Sequence, residues 1–384
     1  MKPSFLAALS VGLAGCFLFS PEPPPPFYTP PTPLPSGAPG TVIRSEAITA
    51  DVPAGAVGLR VLYLSTDHAG QPIAVSATVL APGAHASTPA PVVAWGHGAI
   101  GVLPECGLGY GAHPYLQTPP AEALVREGFV VVTTDYPGLG TPGVHPYLVG
   151  ASEAHAMIDA VRAARSLDVN AGDAFVAWGA SQGGHAALWT AQLAPSYAPE
   201  LHLLGAAAAA PATDLVALFQ AKLDDAGVGV FFAELLYAWS VTYGLELASV
   251  VRPDRVSQVE KIGRTCLSTP AGFLTTGGLL TPSQALGVDV FTTEPWRSHF
   301  VENAARGPIS VPILVTQGDA DAIVSYDVTA ADVMRRCAAG EDVQLVRLRG
   351  VGHDGHAEAT AITIAWMKDR YAGAPTAPTC GAAP

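Results

Sequence analysis

The stretch Trp178-Gly179-Ala180-Ser181-Gln182-Gly183-Gly184 constrains this chain more than any other. It follows the short apolar run Phe175 to Trp178 and precedes the apolar segment Ala186 to Leu193, so it reads as a strand that turns at once into a helix. In so tight a turn, side chains two positions before and after the serine would collide with the neighbouring strand or helix. Gly179 and Gly183 remove that collision. The turn leaves the Ser181 hydroxyl exposed at a sheet edge and its backbone at a helix N-terminus, where free N–H groups and the positive end of the dipole favour a developing anion. The same pentapeptide also occurs as an ordinary glycine-rich turn, so its meaning depends on partners elsewhere in the chain.

From about Thr41 onward, short apolar runs alternate with longer amphipathic segments, the pattern of a mostly parallel sheet flanked by helices. Leu59 to Leu64 and Ile73 to Leu80, separated by Asp67, Gly70 and Pro72, predict an antiparallel hairpin. Pro91 to Trp95, Phe129 to Thr134, Phe175 to Trp178, Leu203 to Ala209, Val311 to Thr316 and Val343 to Leu348 predict further strands, most of them buried. Ser152 to Leu167 places Ala154, Met157, Ile158, Val161 and Ala164 at helical spacing and predicts a crossover helix. A last helix is expected over Glu358 to Tyr371, with Ile362 and Trp366 on one face. From about Asp214 to Pro308 the strand-turn-helix rhythm stops and apolar helical pieces replace it, so residues 214–308 are expected to form a helical cap inserted into an α/β domain over 41–384.

Before that domain the chain carries Lys2, an apolar run from Phe5 to Leu13 and then Leu13-Ala14-Gly15-Cys16, the layout of an export signal. The run is too short for a bilayer-crossing helix, which needs about 20 apolar residues. The Leu-Ala-Gly-Cys ending looks like a bacterial lipobox, which makes residues 1–16 a signal peptide and Cys16 the lipidated first residue of the mature chain; an ordinary cleaved signal is the plainer alternative. Residues 17–40, with Pro21-Glu22-Pro23-Pro24-Pro25-Pro26, predict a polyproline tether. These features imply an exported protein held at the cell envelope or surface, with the membrane as a partner through the anchor. The other cysteines, Cys106, Cys266, Cys337 and Cys380, suggest two disulfides. Four cysteines permit three pairings; sequence neighbourhood favours Cys337 with Cys380 and Cys106 with Cys266. With only 13% charged residues and a net charge of -13, the chain lacks the clustered Lys and Arg that nucleic acid requires.

A serine hydroxyl is a weak nucleophile until an imidazole takes its proton, and the imidazole needs a carboxylate to orient it. In the α/β-hydrolase fold these follow in the order serine, acid, histidine. The run Val311 to Thr316 leads into Gln317-Gly318-Asp319-Ala320-Asp321-Ala322-Ile323-Val324, which offers two carboxylates. Asp321 fits a Gly-x-x-Asp-x-x-Val arrangement, and Asp319 is better placed to bond the turn. Beyond Val343 to Leu348 comes Arg349-Gly350-Val351-Gly352-His353-Asp354-Gly355-His356, in which His353 sits in the loop and His356 near the helix start, favouring His353 as the base. No third ligand is spaced to make His353 and His356 a metal site, and this chemistry calls for no cofactor. His97-Gly98-Ala99 follows Pro91 to Trp95, where the fold supplies an N–H to an oxyanion hole; Ala99 and Gln182 are the expected backbone donors. The His97 side chain reads equally well as buried packing.

Asp135-Tyr136-Pro137-Gly138-Leu139-Gly140-Thr141-Pro142-Gly143-Val144-His145-Pro146-Tyr147, with Asp159-Ala160-Val161-Arg162-Ala163-Ala164-Arg165 downstream and the Gly179 to Gly184 turn, resembles the secretory lipase family. The similarity runs from roughly Thr41 to Gly373. It implies an α/β-hydrolase with a helical cap, acting on acylglycerols or simpler carboxylic esters, and supports Ser181, Asp321 and His353 position by position. Relatives often carry a hydroxyl residue where this chain has Ala99, so a side-chain contribution to the oxyanion hole is in doubt here. The expected function is a secreted lipase or esterase working through an acyl-enzyme on an acyl ester or lipid. An acyltransferase or a peptidase would use the same residues, and a surface lipoprotein that binds apolar ligands without turnover would need none of them. Phe232, Leu235, Leu236, Trp239 and Tyr243 form one stripe at helical spacing in the cap. Either Phe232, Leu236 and Trp239 bind the acyl chain, or the stripe packs the cap onto the sheet.

Overall fold

The computed structural model describes residues 23–83, 87–107, 109–116, 118–267 and 280–380. Among them, nine strands form one sheet in the order β1-β2-β3-β5-β4-β6-β7-β8-β9: β1 (Val42–Ile48), β2 (Ala56–Thr66), β3 (Pro72–Pro82), β4 (Ala90–Gly96), β5 (Val130–Thr134), β6 (Ala171–Ala180), β7 (His202–Ala209), β8 (Ile313–Gly318) and β9 (Val343–Leu348). The first three pair antiparallel, β3 joins β5 antiparallel, and every pair from β5 to β9 is parallel. This is the α/β-hydrolase architecture. Each predicted strand lies on an observed one, and the β2–β3 turn is closed by Asp67, whose carboxylate accepts the N–H groups of Ala69 and Gln71.

The central strands are apolar throughout because both faces are covered. Side chains alternate across the sheet with period two. Val92, Ala94, Val130, Val132, Phe175 and Ala177 join the core under the helices Gly150–Arg165 and Gln182–Tyr197. Val93, Trp95, Val131, Val176 and Trp178 face the helices Ala121–Arg126 and His356–Tyr371. Ala154, Met157, Ile158, Val161 and Ala164 are all buried, as their spacing requires. In the last helix the expectation for Ile362 is corrected: it is 37% exposed, and the buried face is Ala359, Thr363, Trp366, Met367 and Arg370. The face is set by Trp366, whose indole fills the space over β7 that Gly205 leaves by lacking a Cβ.

Between β7 and β8 the chain leaves the sheet and forms the helices Leu215–Gln220, Ala226–Thr242, Val256–Gly263, Pro282–Ala285 and Trp296–Glu302. Asp214 and Asp225 cap the first two by accepting the N–H groups of Ala217 and Gly227. Their core is a separate aromatic cluster in which Phe219 packs on Phe232 and Trp239 on Phe300. No helix among the described residues is long and apolar enough to cross a membrane.

The export signal and Cys16 lie outside the described residues. Of the stretch expected as a tether, residues 23–40 are held on the domain. Tyr28 is buried, stands edge-on to Tyr110 at 5.1 Å and lies against Gly140, where a Cβ would meet its ring at 2.8 Å. Composition pointed to an extended, unpacked segment; within residues 23–40 only Tyr28 and Gly40 are buried, and the rest is half-buried or exposed. The disulfides are Cys106–Cys266, joining the loop after β4 to the insertion, and Cys337–Cys380, joining the helix Tyr326–Ala338 to the C-terminal segment.

Glu234, inside the helix Ala226–Thr242, is fully buried, and neither carboxyl oxygen has a hydrogen-bond partner. Burial pushes its carboxyl well above the ordinary 4.5. The folded chain therefore keeps a proton that the unfolded chain releases above about pH 4.5. The contribution of this group to stability is most favourable below that pH and declines as pH rises toward the folded value. Glu234→Met, which removes both oxygens at similar volume, is expected to raise Tm more at pH 8 than at pH 4.5. Thermal unfolding at the two pH values checks this, and an equal gain or a loss would contradict it.

Candidate functional site

The C-terminal ends of β4, β6, β8 and β9 deliver the loops that carry His97, Ser181, Asp321 and His353 to one edge of the sheet. Ser181 sits between β6 and the helix Gln182–Tyr197 with φ 57° and ψ -118°. For a residue with a Cβ this is a strained conformation, costing roughly 1–3 kcal/mol. The neighbours enforce it: a Cβ on Gly183 would lie 1.8 Å from the Gly96 carbonyl oxygen, and one on Gly179 would lie 2.2 Å from that of Gly183. The Ser181 N–H is spent on the carbonyl of Ala209 at 2.8 Å, whereas the Gln182 N–H opens the helix and so has no intrahelical carbonyl to meet.

His353 Nε2 lies 3.0 Å from Ser181 Oγ, and its Nδ1 lies 2.8 Å from Asp321 Oδ2. A carboxylate facing Nδ1 keeps the proton there and leaves Nε2 to accept the serine proton. Asp321 also accepts the N–H groups of Ile323 and Val324 and the amide of Gln317. Burial opposes its ionisation, but His353 and those two N–H groups outweigh it and hold the carboxyl below its usual range. Asp319 lies elsewhere, accepting from Arg347 and the Gly350 N–H and so pinning the loop that carries His353. His356 is the first residue of the final helix. Among the described residues no group of three His, Cys, Asp or Glu is placed to hold a metal.

A cleft of about 250 Å³ opens at Ser181, lined by Ala99, Trp95, Phe231, Leu267 and His353 among others. The His97 ring is buried, its Nδ1 donates to the Gly98 carbonyl, and burial lowers its pKa to about 4, so it is a neutral packing group that shapes this loop. The motif from Asp135 to Tyr147 lies behind the site. Tyr136 donates to the His97 carbonyl at 3.3 Å and contacts the rings of both His97 and His145. His145, lowered by burial to about 3, donates from Nδ1 to the Pro137 carbonyl and accepts at Nε2 from the Gln182 amide.

That amide gives its second hydrogen to Glu153, whose other oxygen meets His185 Nδ1 at 2.7 Å; His185 Nε2 then donates to the Asn303 carbonyl. A buried polar chain thus runs from the residue after Ser181 into the insertion. No local pattern in the sequence marks Glu153, His185 or Asn303 for this chain, and only His145 lies inside a distinctive motif, Asp135 to Tyr147.

Phe232, Leu236 and Trp239, expected to bind substrate, are buried in the aromatic core of the insertion, and Trp239 donates to the Tyr147 carbonyl. They are not among the described residues that line the cavities beside Ser181. Phe231, one position away, lines both.

The family model of the secretory lipases matches residues 120–379. The chain belongs to the secretory lipase family. It is accordingly a carboxylic ester hydrolase. A probable inactive lipase of Mycobacterium tuberculosis is 25% identical over 380 residues, covering 91% of this chain and 82% of that protein. Lipase 5 of Candida albicans is 26% identical over 394 residues, covering 92% and 82%. Among solved structures, lipase A of Candida antarctica matches with a TM-score of 0.77 and 21% identity, over 94% of this chain and 89% of that one, a likeness of fold.

Proposed function

We propose that this secretory lipase is an exported serine hydrolase in which Ser181 attacks the ester carbonyl, His353 takes and returns the proton, and Asp321 orients the imidazole. The observation that carries the reading is the continuous hydrogen-bonded line from Asp321 through His353 to Ser181, at 2.8 and 3.0 Å. In this scheme Oγ bonds to the acyl carbon and the tetrahedral oxyanion is met by the N–H groups of Gln182 and Ala99. The alcohol departs with the proton from His353, and water then repeats the sequence to release the acid. Each oxyanion donor contributes about 3 kcal/mol to such a transition state. Although one relative is described as inactive, the presence of all three side chains in bonding geometry supports turnover here. Ser181→Ala is expected to lower kcat/KM on p-nitrophenyl esters by roughly four or more orders of magnitude while keeping the melting temperature. Near-normal hydrolysis by the folded variant would remove Ser181 from the role.

The ending Leu13-Ala14-Gly15-Cys16 supports lipid anchoring at Cys16 in addition to export. Cys16→Ser is expected to move the protein from the membrane fraction to the soluble one. An unchanged membrane fraction would reject the anchor.

A further inference from the structure

Among the described residues, two cavities of different size border Ser181. The cleft of about 250 Å³ contains His353 and Asp354 in its wall, with Trp95, Pro119 and Leu267 as its apolar sides. A slot of about 20 Å³ also borders Ser181, walled by Leu148, Leu218, Phe219, Val228, Ile323 and Val324, with Gln182 in its lining. Phe231 lines both.

The chemistry assigns each half of the ester to a cavity. When the carbon–oxygen bond to the alcohol breaks, the leaving oxygen must take the proton that His353 Nε2 received from Ser181 Oγ. The water that follows must lose a proton to the same nitrogen. Both therefore occupy the side that His353 borders, which is the cleft. The acyl group stays bonded to Oγ throughout, so it belongs in the slot. A slot of this size holds about one or two water molecules, which is room for the methyl or ethyl of an acetyl or propionyl group.

The walls of the slot are not free to retreat. Leu218, Phe219, Val228 and Val324 are buried, Phe219 packs on Phe232 at 5.1 Å, and the Val324 N–H is bound to Asp321. The cleft has a fixed far side of another kind. Leu267 follows Cys266, which is bonded to Cys106, and its N–H donates to the Ile100 carbonyl beside Ala99.

We propose that this enzyme prefers esters of short acids, and that Leu218 and Val228 set the limit on acyl length. The proposal rests on Ser181 as nucleophile and His353 as acid and base. It is tested with kcat/KM on p-nitrophenyl acetate, butyrate and octanoate, which hold the alcohol constant, for the wild type, Leu218→Ala, Val228→Ala and Ser181→Ala. Leu188→Ala, a buried leucine outside the slot, controls for general softening of the core. The wild type is expected to favour acetate over octanoate by 100-fold or more. Leu218→Ala, or the milder Val228→Ala should the first fail to fold, is expected to raise the butyrate-to-acetate ratio at least tenfold, with the Leu188→Ala ratio unchanged. An octanoate rate equal to or above that of acetate in the wild type, or slot variants that shift no more than the control, would overturn it. Activity surviving in Ser181→Ala would instead strike the nucleophile assignment, so the two failures are distinguishable.

Discussion

The close approach of β4 to the turn after β6 is the constraint on which the site depends. At Gly179 and Gly183 the backbones come so near that a single Cβ would overlap a carbonyl oxygen, and at Gly96 a Cβ would press on the Tyr136 hydroxyl and the Gly183 backbone. That contact bends the chain abruptly from strand to helix and holds Ser181 at positive φ. The strain is balanced by the packing of a sheet whose central strands are covered on both faces, which gives the turn no easier geometry to relax into. From it follow the aim of the hydroxyl toward His353, the position of the Gln182 N–H at a helix start and the nearness of the Ala99 loop, which leaves the same strand as Gly96.

Around this turn the protein places neutral, buried histidines as spacers. His97 and His145 both have pKa values lowered by burial, and both contact Tyr136, so one aromatic side chain of the Asp135 to Tyr147 motif braces the loop after β4 and, through His145, the Gln182 side chain. The Gln182 side chain is tied to His145 and Glu153, and through His185 and Asn303 the tie reaches the insertion. The motif that identifies the family is thus a support for the site. The insertion is joined to that support by hydrogen bonds as well as by apolar contact.

Much of this was legible in the sequence because it is local. Apolar runs bounded by turn residues located the strands that carry the site, and the glycines beside Ser181, the loop after β8 and the loop before the last helix each announced themselves within a few residues. What was missed has physical reasons. β1, with the sequence VIRSEAI, lies at the sheet edge, where three of its side chains are exposed, so it shows no apolar alternation. The helix Ala226–Thr242 is apolar nearly all round, so periodicity could not separate Phe232, which packs inward, from Phe231, which faces the cavities. Glu153 and Asn303 are brought together only by the fold, and no pattern along the chain links residues so far apart.

Covalent trapping asks whether this geometry makes Ser181 the attacking group. A fluorophosphonate ester reacts with an activated serine to give an adduct that water does not release, and peptide mapping by mass spectrometry then locates the adduct. One equivalent of label is expected on the peptide carrying Ser181, with hydrolytic activity lost in proportion. Label on a different residue, or an active enzyme that takes up none, would contradict it.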